Sequence, residues 1–132
     1  MSVGAEQAAR QVFEAWNEGD LERVIDFLDP EFEFVPLRSQ LHMSPYRGHE
    51  GMRRFAADTA EEWEYLRIVP DEVRDLGEHV LVLAHYRARG RASGAEIDLP
   101  VGYVATFRDG KFSYMRTYSD PDEAKLAAGA TS

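Results

Sequence analysis

The stretch from Leu66 to Asp120 does most to limit what this chain can fold into. It divides into four runs, Leu66 to Gly77, Glu78 to Gly94, Ala95 to Gly110 and Lys111 to Asp120, in which aliphatic or aromatic residues are interleaved with polar ones. Turn residues close the first three runs at Gly77, Ser93-Gly94 and Asp109-Gly110, and Asp-Gly strongly favours a two-residue hairpin. Parallel neighbours need crossovers of about a dozen residues or more, and no junction here has that length. The four runs can pair only as an antiparallel meander.

Before this block the apolar period is that of helices. Ala5, Ala8, Ala9, Val12, Phe13 and Trp16 follow the spacing of one helical stripe. Gly19 suits the left-handed position after a helix, and Asp20 can cap a second one whose apolar face is Leu21, Val24, Ile25 and Leu28. Glu31 to Leu37 alternates as a short strand that Pro36 stops, and a loop from Arg38 to Gly48 follows. A third helix is expected to start near His49 and Glu50, with Met52, Phe55, Ala56, Thr59 and Trp63 as its buried stripe. After the meander, Asp120 can cap a short helix that has Pro121 in its first position and Gly129 as its stop. Helices segregated against an antiparallel sheet make an α+β fold. The 132 residues suit one domain, 1–132, with one core.

Charge and composition narrow the function. With 15 basic against 24 acidic side chains the net charge is −9, and a phosphate backbone repels such a surface, so nucleic acid is not an expected partner. Without cysteine there is no disulfide or thiolate chemistry. The histidines at 42, 49, 79 and 85 lack the spacing of metal ligands, and Gly90 to Gly94 reads as a hairpin turn rather than a phosphate cradle. No metal or cofactor is therefore expected. The first residues lack the apolar core of a signal peptide, and no apolar run approaches the ~20 residues that span a bilayer. A cytoplasmic location with no membrane partner is the expectation.

Four phrases in order, Val12 to Phe34, Tyr46 to Phe55, Gly90 to Asp98 and Thr106 to Gly129, resemble the nuclear-transport-factor-2-like superfamily, in particular its SnoaL-like and ketosteroid-isomerase-like small proteins. The resemblance implies a cone-shaped fold, a strongly curved antiparallel sheet with helices packed on its concave face, enclosing a largely apolar pocket. It also implies a homodimer through the convex sheet face. The fold hosts isomerases, cyclases, hydrolases and plain binding proteins, so it does not fix an activity.

The resemblance stops short of the steroid isomerases' chemistry. Where they carry a first-helix tyrosine this chain has Val12, and where they carry an aspartate base it has Pro36 with Val35 beside it. Their third acidic position falls on Tyr103. Steroid isomerisation is not expected. Fold-related epoxide hydrolases need an Asp-Arg-Asp set, for which Asp98 and Arg116 supply two members and nothing supplies the third.

Tyr103 is the main catalytic candidate, because a phenol inside an apolar cone can donate to a developing oxyanion. His42 and Glu33 are candidate bases, the first from its loop and the second from the first strand, where burial would raise a carboxyl's pKa. Trp16, Tyr46, Phe55, Trp63 and Met115 are candidate ligand contacts. His85 could titrate near neutrality if it faced the pocket. In the last strand alternation separates Met115 and Thr117 from Tyr114, Arg116 and Tyr118. The resemblance sends the first pair inward and the second set to the convex face, where tyrosine and arginine suit an interface. The expected function is a small pocket protein taking a small hydrophobic or aromatic molecule, as a cofactor-free isomerase, cyclase or hydrolase. The alternative is a non-catalytic binding or structural dimer module.

Overall fold

The structure of the chain is a computed structural model that describes residues 4–37 and 45–129. His42 lies outside the described residues.

Four helices, α1 (Ala5–Asn17), α2 (Leu21–Asp26), α3 (Gly48–Glu62) and α4 (Pro121–Ala128), accompany six strands. The strands are β1 (Leu28–Val35), β2 (Tyr46–Arg47), β3 (Trp63–Asp75), β4 (Val80–Gly90), β5 (Glu96–Arg108) and β6 (Lys111–Tyr118), in one curved sheet of order β2-β1-β6-β5-β4-β3. The meander expected from the turns is β3 to β6. Asp109 and Gly110 take φ of 53° and 80°, the left-handed pair that a tight hairpin with the twist of its strands requires. The sheet has one parallel pairing, β1 on β6, which closes the first strand onto the last.

The structure differs from the sequence expectation in three places. Tyr46 and Arg47, expected within the loop from Arg38 to Gly48, form β2, which pairs antiparallel with Phe34 and Glu33 of β1. The second helix ends at Asp26, and Leu28 already opposes Phe112 on β6, with the Phe112 N–H donating to the Phe27 carbonyl at 2.8 Å. Long-range pairing with β6 thus takes Leu28 from the helical stripe. Trp63 is likewise the first residue of β3, extended (φ −117°, ψ 137°) and opposite Gly90, not the last of α3. Trp63 and Tyr65 are good strand residues, and β4 supplies their ladder partner.

The faces of the sheet follow alternation along each strand, interrupted at the bulges in β3 and in the β5–β6 pairing. The inner face carries Ile68, Val82, Val101, Tyr103, Met115 and Phe34 and packs against α1, α2 and α3 in the main core. The outer face carries Leu81 and Val104, which pack with Ala124 and Ala128 of α4 in a second cluster. Helices thus cover the concave face as expected for the first three, while the fourth lies on the opposite face. Gly102 makes this possible, since a Cβ there would collide with that of Ala124.

β3 is an edge strand, which is where Pro70, flanked by a bulge, is tolerated. Its open side meets the end of α1. Trp16 Nε1 donates to the Leu66 carbonyl at 3.0 Å. The Asn17 side-chain amide donates to the Ile68 carbonyl at 2.7 Å and accepts from the Ile68 N–H at 2.8 Å. These bonds fix the helix end against the sheet and set the orientation of the Trp16 indole.

Candidate functional site

Between the inner face and the helices lies a chamber of about 40 Å³ walled by Val12, Phe13, Trp16, Phe34, Phe55, Tyr103 and Met115 among others. The rings interlock: Phe13 sits 5.0 Å from Tyr103, Trp16 5.4 Å from Phe55, and Phe34 edge-on to Phe55 at 4.9 Å. Such tilted aromatic pairs hold one another in place. No carboxylate is among the residues lining this chamber.

Tyr103 brings the polar chemistry. It stands mid-strand on β5 with 1% of its surface exposed, and Thr117, directly opposite on β6, hydrogen-bonds its hydroxyl. Burial pushes its phenol well above the usual tyrosine range, the neighbouring Tyr86 adds to the rise, and the Thr117 bond opposes it. The group is a neutral proton donor at any physiological pH. Thr117 is itself buried, and its role was missed in the sequence because only strand register brings it opposite Tyr103. The signal was present in its sharing a face with Met115.

The other candidates separate into three places. Phe55, Trp16 and Met115 line the chamber with Tyr103. Tyr46 backs onto Phe55 at 5.3 Å and donates its hydroxyl to Asp58 Oδ2 at 2.6 Å, outside the chamber's lining. Burial, followed by that bond and the Asp58 charge, raises its pKa to about 12. Trp63 lines a different space, an open cleft of about 440 Å³ at the free edge of β3. That cleft also includes Trp16, so one indole stands between the two spaces.

Glu33 is not in the chamber. Alternation turns it to the outer face, opposite Tyr114, where it pairs with Arg47 at 3.3 Å. Its neighbours Phe32 and Phe34 point inward instead. Asp98 and Arg116 are also on the outer face, Asp98 beside Arg87 at 3.4 Å, so the partial epoxide-hydrolase set does not reach the interior. His85 faces outward too, against Asp71, which the bulge after Pro70 presents to it. At the positions of the missing isomerase residues, Val12 lines the chamber and Pro36 is buried.

Tyr114, Arg116 and Tyr118 share the outer face. The Arg116 guanidinium lies 4.8 Å from the Tyr118 ring centre, and its Nε is buried without a hydrogen-bond partner. Burial raises the Tyr114 pKa, against the pull of Arg116. No group of three or more potential metal ligands occurs among the described residues, and none of their helices is long and apolar enough to cross a membrane.

A family model described as a SnoaL-like domain matches residues 9–115. No curated protein matches the sequence. Solved structures share the fold. A nuclear-transport-factor-2-like protein of unknown function from Burkholderia pseudomallei is 23% identical, with 94% of this chain and 96% of that one covered and a TM-score of 0.77. TerC, crystallised with polyporic acid, is 20% identical over 94% of this chain and 97% of its own, with a TM-score of 0.77. A protein from Shewanella denitrificans described as a SnoaL-like polyketide cyclase is 16% identical over 92% and 96%, with a TM-score of 0.69.

Proposed function

The chain belongs to the SnoaL-like domain family, and on that premise we propose that it takes a small hydrophobic or aromatic molecule into the inner chamber and acts on it without a cofactor, as an isomerase, cyclase or hydrolase. The observation that carries this reading is Tyr103, a fully buried phenol on the wall of an otherwise apolar chamber. In a low-dielectric site a fixed donor stabilises charge developing on a substrate oxygen far better than water does, because no solvent must reorganise. Thr117, opposite on β6, is the polar neighbour of this phenol, and in this reading the phenol's proton is offered to the substrate. Glu33 faces away, so His42 remains the candidate base. A fold neighbour crystallised with polyporic acid and another described as a polyketide cyclase support a small hydrophobic or aromatic substrate.

The test is turnover of such compounds by the native protein and by Tyr103→Phe, which keeps the ring and removes the hydroxyl. A loss of about 100-fold in kcat is expected for one oxyanion donor. An unchanged kcat removes Tyr103 from the chemistry.

A second reading is favoured by the lack of any carboxylate on the chamber wall and by its small volume. Here the same chamber holds a ligand without turnover, or the aromatic rings simply fill the cone. A ligand retained in native mass spectrometry but never converted supports this reading.

The protein is further proposed to act in the cytoplasm as a homodimer through Tyr114, Arg116 and Tyr118. Partly buried tyrosines around a guanidinium whose Nε has no partner are what a contacting subunit would complete. Sedimentation as a monomer overturns the assembly.

A further inference from the structure

We propose that the cleft at the free edge of β3 is a separate binding site for a planar aromatic carboxylate. It does not rest on the reading of Tyr103, which lines the other space.

The cleft measures about 440 Å³, within the roughly 300–1,000 Å³ of small-molecule sites. Its walls come from the end of α1, the second half of α3, the start of β3 and the β4–β5 turn. Trp16, Trp63 and Tyr65 give it aromatic surface, and Thr59 a hydroxyl. Half-buried rings at an open cleft are the platform a flat ligand stacks on.

Charge selects the ligand's sign. The chain as a whole carries −9, yet two arginines, Arg67 and Arg91, stand at this cleft. The Arg67 guanidinium lies 5.2 Å from the Tyr65 ring centre and forms no ion pair among the described residues. Opposite it on the outer face, Arg87 is occupied by Asp98 at 3.4 Å, which leaves Arg67 as the uncompensated cation of the pair. Arg91 Nε donates to the Ala60 carbonyl at 2.5 Å, and its backbone N–H donates to the Glu62 carbonyl at 3.1 Å, which pins it at the rim. The one carboxylate in the lining, Glu64, lies 3.8 Å from Arg89 and is partly compensated there. A guanidinium already stacked on a ring keeps its planar fork for a carboxylate, and the same plane suits an aromatic acid.

The experiment is calorimetric titration with 2-naphthoate and, as the neutral counterpart, 2-naphthalenemethanol. The expected result is that naphthoate binds at least about tenfold more tightly than the alcohol, that Arg67→Gln and Trp63→Leu each weaken naphthoate about tenfold, and that Tyr103→Phe leaves its Kd unchanged. Arg67 is exposed, so its variant folds even if replacing the better anchored Arg91 loosens the turn. The proposal is overturned if naphthoate does not bind, if it binds no better than the alcohol, or if Tyr103→Phe rather than the Arg67 and Trp63 variants removes its binding.

Discussion

The two spaces that share the Trp16 indole are opposites. The inner chamber has a chemically capable group and almost no room, about 40 Å³, whereas the cleft has about 440 Å³ and only groups that hold or orient. An engineered core cavity that admits benzene measures ~150 Å³. On the proposed function, a substrate-sized molecule would reach Tyr103 only if Trp16 or Phe55, both incompletely buried, swung aside. Close aromatic packing gives a rigid, dry setting for a hydrogen bond but leaves little space for a ligand to occupy.

Removing the partition should break this contrast with the largest effect. Trp16→Ala deletes the ring contact with Phe55 and the bond to the Leu66 carbonyl and joins the two spaces. A loss of about 2–3 kcal/mol in denaturant unfolding is expected, below the usual cost for a fully buried Trp because this one is partly exposed. Binding of small apolar probes such as benzene should rise at the same time. If it falls, the indole is a ligand contact rather than a barrier.

Tyr103→Phe sharpens the contrast from inside. Loss of the Thr117 bond should cost about 1 kcal/mol at neutral pH. The pH dependence is more diagnostic. The folded phenol titrates above the ordinary unfolded value of 10.0, so its contribution is fully present below pH 10 and declines as pH rises, by about 1.4 kcal/mol per unit. The Phe variant should lose part of that alkaline slope in unfolding titrations between pH 10 and 11. Tyr46, raised to about 12 chiefly by burial and Asp58, shares the sign and supplies some of the remaining slope.

The smallest effect belongs to the outer face. Glu33→Gln breaks a partly exposed pair with Arg47 and should change stability by no more than about 0.5 kcal/mol, with ligand binding unaffected. A clear loss of turnover in this variant would return Glu33 to the list of bases and contradict its outward placement.

The meander, its turns and the helical stripes were legible because each is a local periodicity with a local stop. Alternation put Tyr103 on one face with Val101 and Ala105, and only the family resemblance turned that face inward. What a single chain segment does not encode is which strand pairs with which. Leu28 left its helix to pair with β6, a strand more than 75 residues further on, and Thr117 came opposite Tyr103 through a bulge after Thr106 that shifts the hairpin register. Trp63 was misplaced by one boundary, since an apolar residue at the end of a helical stripe and one at the start of a strand look alike. The cleft was invisible for a related reason, because Arg91 and Trp16 meet only after α1 docks on β3.

That docking has one more consequence. A sheet edge offers its N–H and C=O groups to any extended peptide, and edge-to-edge growth between molecules starts there. The Leu66 carbonyl is already taken by Trp16, and both backbone groups of Ile68 by the two-way amide of Asn17. The helix end thus acts as a false strand, one residue long, that terminates the ladder. Replacing Asn17 with Ala reopens it, and slow fibrillar aggregation, seen by thioflavin fluorescence, is the outcome to look for.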